Sequence, residues 1–307
     1  MVLVKKKIYW HLPGLYQFFY LNQMIIKLMK EYPDKFHDGY EIGSVYGTFP
    51  GAIWNGGRLV YGVTTRFNME KIIRTYNDFG VPVRFTWTNS LLEEKHLHDT
   101  YCNLIMELAD NGMNQVLVNR EVLESYLRSA YPGFRFISST TKRITNLDEL
   151  RKEVEKNYAL IVLDYDFNYD RNILDAIKDH ASKIELIVDD TCVPNCPKRK
   201  QHYDFLSLQQ LRFEKEATFK CPMKKALSPF TEIMKREQFI PRDKLYTYIG
   251  QGFVNYKLVG RGIRQDVVED SYIYYLVKEE HAEFIRKKLD IVLRKLPQKL
   301  PPGCENT

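Results

Sequence analysis

In the stretch "DDTCVPNCPKRKQHY", residues 189–203, Cys192 and Cys196 stand four residues apart beside Pro194 and Pro197. Thiolates at that spacing on a loop can turn toward one centre, and the prolines lower the entropy lost in holding them there. Cys221, directly followed by proline in "KCPMKK", offers a third thiolate from the next connection. His202, six residues beyond Cys196, offers an imidazole. Three thiolates and one imidazole suit a tetrahedral zinc ion. Three thiolates with one open iron position suit an iron–sulfur cluster. A radical-type CxxxCxxC loop is excluded, because Arg199 stands where its third cysteine belongs. The remaining alternative is a rigid loop of unliganded thiols. Cys102, in a helical pattern, and Cys304, in a Pro/Gly tail, are read as incidental. An odd, sparse set of five cysteines argues against a disulfide framework.

The elements that must position these residues are legible as alternating runs. Apolar stretches at 40–47, 83–89, 114–119, 133–140, 158–166, 183–190 and 253–261 read as strands. Helical patterns lie between and after them at 68–79, 91–111, 120–130, 147–156, 170–182 and 270–296. "TNLDELRKEVEKN" opens like a capped helix, and Asn68 and Asp170 read as caps. Strands that are nearly continuous in apolarity, alternating with helices, indicate right-handed βαβ units on a parallel sheet. An eighth strand is expected between 227 and 241, which would close an α/β, TIM-like (β/α)8 barrel. An open doubly wound sheet is the alternative, but neither a GxGxxG nor a GxxxxGK[ST] loop follows any strand. The whole of 1–307 is read as one barrel-like domain, with 1–36 as an N-terminal helical cover and 297–307 as a disordered tail.

The 307 residues include 45 basic and 39 acidic ones, for a net charge of +6, which suits an anionic ligand without demanding nucleic acid. No apolar run approaches a membrane span, and the start "MVLVKKKIYWHLPG" lacks a signal core, so a cytoplasmic chain is expected. In a barrel, chemistry gathers where the strands end at their C-terminal side. Glu41, Asp164 and Asp166 are placed there as general acids or bases, since burial raises a carboxyl pKa toward the working range. Lys257 and Arg261, in and after the last strand, suit a carboxylate or phosphate.

With these residues placed, the chain over about 40–265 resembles the collagenase-like peptidase family, which also contains proteins of anaerobic ubiquinone hydroxylation and an RNA cytidine hydroxylase. "GVPVRFTWTNSLLEE" is similar to the family's second strand, ending in an asparagine. "GMNQVLVNREVLESYLRSAYPGFRFISSTTKRITN" is similar to its third and fourth strands with their Ser-Thr pair. "GQGFVNYKLVGRG" matches its Lys and Gly-Arg at Lys257, Gly260 and Arg261, and "DDTCVPNCPKRKQHY" falls where it carries cluster cysteines.

The resemblance implies an iron–sulfur cluster held by Cys192, Cys196 and Cys221, with His202 or an open position as the fourth site. Zinc is the alternative metal. It also implies substrate contacts from Asn89, Ser139, Lys257 and Arg261. The implied activity is an oxygen-independent modification of a small anionic or RNA-derived substrate, or else peptidase chemistry. A zinc-clipped binding barrel, as half of a heterodimer, is the non-catalytic alternative. Three departures stand out: three cysteines in place of four, "DYDF" at 164–167 in place of Arg-Glu-Leu, and Val259 in place of a glutamate.

Overall fold

Parallel strands need a crossover between each pair, and here helices supply the crossovers around a sheet that closes on itself. The computed structural model describes residues 6–214, 218–221, 229–260 and 262–293. Its strands are β1 (Ile8–Pro13), β2 (Tyr40–Gly47), β3 (Val83–Trp87), β4 (Gln115–Val118), β5 (Arg135–Ser138), β6 (Leu160–Val162), β7 (Ile184–Ile187) and β8 (Asn255–Lys257). They pair in chain order, all parallel, and β8 returns to β1, closing the expected eight-stranded barrel. The helices are α1 (Phe19–Glu31), α2 (Arg66–Asp78), α3 (Thr100–Ala109), α4 (Glu121–Ala130), α5 (Leu147–Val154) and α6 (Arg171–Ala176). After β7 come α7 (Arg199–Arg212), α8 (Phe230–Ile233) and α9 (Leu245–Gln251), and after β8 come α10 (Gln265–Leu276) and α11 (Ala282–Leu293). No helix among the described residues is long and apolar enough to cross a membrane.

Local chemistry starts these helices where they start. Thr65, Asp99, Asn146 and Asp170 cap α2, α3, α5 and α6 through their side-chain oxygens. Asn68 is therefore not the α2 cap but the residue whose amide Thr65 receives. Leu123 and Leu127, one turn apart, turn α4 onto the sheet. The 270–296 pattern splits into α10 and α11, because the backbone at Val277 and Lys278 is extended.

Two corrections concern the ends of the barrel. The eighth strand does not lie between 227 and 241, where the described residues hold the short α8. It is β1, inside the segment read as a helical cover, and α1 follows it. β1 alternates: Ile8, Trp10 and Leu12 pack in the main core with the helices, while His11 enters a polar network inside the barrel. The tail at 297–307 lies outside the described residues.

That network occupies the barrel interior toward the strands' N-terminal ends. Paired registers bring Arg84 beside Gln115, Glu185 beside Asn255, and His11 beside Ser44 and Lys257. Arg84, fully buried, donates to Gln115 Oε1 at 2.8 Å, to Glu185 Oε2 at 2.5 Å and to His11 Nδ1 at 3.0 Å. Ser44 Oγ also lies 2.8 Å from His11 Nδ1, and His11 Nε2 lies 3.3 Å from Glu185 Oε2. Donors therefore converge on Nδ1 and acceptors on Nε2, which is the pattern of a neutral imidazole protonated on Nε2. Burial drives the His11 pKa down to about 3, with the neighbouring Arg84 charge adding to the drop and Glu185 opposing it. Nearer the C-terminal ends, Leu117, Ile137, Val162, Tyr165 and Ile187 form a small apolar plug.

Candidate active site at the barrel mouth

The loop that opened the sequence question leaves the C-terminal end of β7 and is pinned along its length. Asp189 accepts hydrogen bonds from the Val259 amide at 2.8 Å and Ser271 Oγ at 2.7 Å, tying the loop to the segment after β8 and to α10. Burial still pushes Asp189 up to about 7. Asp190 Oδ1 accepts from the Cys192 amide at 2.7 Å, and Gln238 Nε2 donates to the carbonyls of Asp190 and Cys192. The Asn195 amide donates to Asp166 Oδ1 at 2.9 Å, with Asn195 itself in the left-handed region at φ 51°.

The strongest clamp is charged. Arg199, 2% exposed at the start of α7, donates to Asp164 Oδ1 at 3.0 Å, to both Asp166 oxygens at 2.9 Å and to the Val193 carbonyl at 2.8 Å. Its guanidinium lies 4.1 Å from the Tyr165 ring centroid. Arg143 contacts the same two carboxylates from the turn after β5. Burial acts to raise Asp166, but the bonds from Arg199 and the Asn195 amide prevail and hold it below the usual carboxylate range. Asp164 and Asp166 do sit at the C-terminal end of β6, as expected, yet two arginines engage them, so their placement is that of loop anchors.

The other expected site residues separate. Cys192 is half-buried at the mouth, packed against the apolar plug that holds Tyr165. Burial, then the Asp190 carboxylate, push its thiol up, which keeps it protonated. Cys196 is 7% exposed, and its carbonyl accepts the Arg199 amide. His202 stacks on Phe219 with ring centroids 4.5 Å apart, and burial followed by the Arg58 charge lowers it to about 4. Cys221 is half-buried, its amide donating to the Phe219 carbonyl. Among the described residues, no three His, Cys, Asp or Glu side chains converge closely enough to hold a metal ion. The Cys192, Cys196, Cys221 and His202 set therefore does not fit zinc or a cluster in this arrangement, and the loop is held by arginine, amide and proline chemistry instead.

Glu41 lies at the wrong end. It is the second residue of β2, at the N-terminal side of the barrel, where it pairs with Lys7 at 2.7 Å and lines a cavity of about 590 Å3. Asn89 is fully buried, and its amide donates to the carbonyls of Ile53 and Ser207, which ties two mouth segments together. Ser139 caps the turn Thr140–Lys142 through its bond to the Thr141 amide. Lys257 is inside the barrel, 3.5 Å from Glu185 Oε1 and 4.1 Å from the Tyr46 ring centroid. Arg261 lies outside the described residues.

Sequence reasoning missed Arg58, Tyr203 and the role of Asp190. Arg58 sits in the long β2–α2 connection, its Nη1 bonded to the Gly57 carbonyl. Burial works against its charge, while Asp190, then Tyr203, Tyr165 and Cys192 favour it, and the net shift is upward. Burial raises Asp190 with Arg58 opposing, and burial with Asp190 pushes Tyr203 up to about 12. At the mouth Arg58, Asp190 and Tyr203 therefore bias one another's charge, and the Tyr203 phenol stays protonated at neutral pH. The cue available in the sequence was the "NGGR" at 55–58, a turn that delivers an arginine.

No protein-family model matches the chain, and no curated protein matches it. Among solved structures it is similar to one described as "The Structure of the U32 Peptidase Mk0906", with 13% identity, 83% of this chain and 92% of that chain covered, and a TM-score of 0.50. At that identity the likeness is one of fold: the chain shares its barrel with a U32 peptidase.

Proposed function

We propose that the chain is a barrel hydrolase of the U32, collagenase-like type that cleaves an amide bond in a small anionic substrate at its C-terminal mouth. What supports this is the buried Asp190 at the mouth, whose carboxylate favours the charge of the half-buried Arg58 and raises the half-buried Tyr203 phenol. In the proposed step Asp190, as carboxylate, takes a proton from water as the water oxygen attacks the carbonyl carbon. Arg58 stabilises the oxyanion that forms. Tyr203, protonated at neutral pH, orients the leaving nitrogen, and Asp190 returns the proton as the C–N bond breaks. The fold shared with a U32 peptidase supports the reaction class.

A cysteine nucleophile is disfavoured, because the Cys192 thiol is pushed up and His202 is stacked on Phe219. An iron–sulfur-dependent modification of a small or RNA-derived substrate would need Cys192, Cys196 and Cys221 to share one centre, so no step is assigned to a cluster.

The test is amine release from a panel of short peptides with free C-terminal carboxylates. Turnover by the full chain, lost by about 100-fold or more in Asp190→Asn and Arg58→Met with the fold intact, is the expected result. Absence of turnover, turnover that survives both substitutions, or turnover that tracks the iron or zinc content of anaerobically prepared protein would overturn the reading.

A further inference from the structure

The β2–α2 connection is long, yet the segment that carries Arg58 is pinched shut. The Gly51 amide donates to the Val60 carbonyl at 3.1 Å, closing the loop at its base. Inside it, Asn55 Nδ2 donates to the Arg58 carbonyl at 2.7 Å, and Asn55 Oδ1 accepts from Thr86 Oγ1 of β3 at 2.8 Å. Gly56 lies so close to the end of β3 that a Cβ there would meet the Thr88 carbonyl at 2.2 Å, so the contact requires glycine.

One side chain from outside the loop completes the pinch. Gln210 of α7 is fully buried. Its Oε1 accepts from the Val60 amide at 2.9 Å, and its Nε2 donates to the carbonyls of Val60 at 3.2 Å and Ala52 at 3.3 Å. The amide thus does for Val60 what a neighbouring strand would do, satisfying both its backbone groups. The opposite end of the same helix is Arg199, clamped to Asp164 and Asp166. The 14 residues of α7 span about 21 Å at the helical rise. α7 is therefore a strut across the mouth: one end fixes the Asp190 loop, the other the Arg58 loop.

The geometry points to Gln210 as a positioning residue that holds the Arg58 loop in place from the far end of α7. This rests on the proposed role of Arg58 as the anion-binding group. Gln210 itself touches backbone, so its effect on ligands passes through Arg58.

The test uses the full chain, with inorganic phosphate as the probe, titrated by thermal shift against wild type, Arg58→Met, Gln210→Leu and the double variant. Gln210→Leu is expected to weaken phosphate binding by about tenfold, and the double variant to bind no worse than Arg58→Met alone. Gln210→Glu, which keeps the acceptor for the Val60 amide, is expected to fall between Gln210→Leu and wild type. Independent losses that multiply in the double variant, or wild-type binding by Gln210→Leu, would overturn the proposal. Hydrogen exchange at the Val60 amide is a second arm that does not need a ligand: it is expected to rise at least about tenfold in Gln210→Leu. An unchanged Val60 amide overturns the proposal even if that variant unfolds more easily. If Arg58→Met binds phosphate like wild type, the anion-binding reading falls, and the Val60 amide still decides whether Gln210 holds the loop.

Discussion

The two ends of this barrel both bury charge, and they do so in different ways. At the floor, His11, Ser44, Arg84, Gln115, Glu185, Asn255 and Lys257 all project from strands, so the sheet itself sets their distances. At the mouth, Arg58, Arg143, Asp164, Asp166 and Asp190 sit on connections, and a helix has to hold those connections together. Strand-borne charges form a set paired within itself around a neutral histidine, with Glu185 Oε1 reached, among the described residues, only by the Lys257 ion pair at 3.5 Å. Loop-borne charges are split: Asp164 and Asp166 are anchored by Arg199 and Arg143, while Asp190 acts on Arg58 through its charge. The lesson is that burial of a charged residue in a barrel does not mark a catalytic group. What matters is whether its partners come from rigid elements that leave no room for a ligand.

The largest expected effect breaks the floor. Arg84→Met removes the main counter-charge of Glu185, leaving a fully buried carboxylate with only the longer contacts to His11 and Lys257. Removing one partner of a buried pair costs about 3–5 kcal/mol. Urea unfolding is expected to show that loss with an unchanged slope. A change under about 1 kcal/mol would mean that the floor is no more cohesive than a surface pair.

Acid should separate the two ends as well. His11 is held at about 3 in the fold against 6.5 when free, and Glu185 at about 2 against 4.5. Both folded values are depressed, so the unfolded chain takes up these protons first and stability falls as the pH drops. For His11 the loss begins below pH 6.5 and continues toward pH 3; for Glu185 it begins below 4.5. Between pH 7.5 and 4.5 the His11 contribution amounts to roughly 3 kcal/mol. Urea midpoints at the two pH values are expected to converge in His11→Gln relative to wild type. Equal acid sensitivity in both proteins would place the titrating group elsewhere.

Much of the fold was legible because seven strands carry enough Val, Ile, Leu and Phe to stand out. β1 was not, because "IYWHLP" alternates and its inward position is a histidine. α7 was missed for a related reason. The residues it buries are Arg199, Ser207, Gln209 and Gln210, so an apolar stripe is absent and its sequence reads as a basic loop. The candidate site was half legible. Asp164, Asp166, Cys192 and Cys196 were placed at the strands' C-terminal end, but spacing alone could not show that Arg199 ties the loop to Asp164 and Asp166. Arg58 lies in an 18-residue connection without periodicity, at 48–65, where sequence patterns say nothing about direction.

The mouth clamp can be weakened more gently than the floor. Arg199→Lys keeps the charge but loses the planar fork that reaches Asp164, Asp166 and the Val193 carbonyl together. A cost of about 1–2 kcal/mol is expected, with faster hydrogen exchange confined to 189–196 and the floor amides unaffected. Exchange that rises equally in β3 and β7 would mean that the two ends are one cooperative unit, and the contrast between them would lose its basis.

The smallest effect concerns the carboxylate that spacing placed at the mouth and the fold places at the other end. Glu41 is 44% exposed and pairs with Lys7, itself 62% exposed. Solvent screens such a pair, and no floor or mouth residue depends on it. Glu41→Gln is therefore expected to leave the urea midpoint and any peptide turnover at wild-type values, at low and high salt alike. Turnover that falls in Glu41→Gln while the midpoint stays fixed would place chemistry at the N-terminal side of the barrel. The cavity beside Glu41, and not the Arg58–Asp190 mouth, would then be where substrate binds.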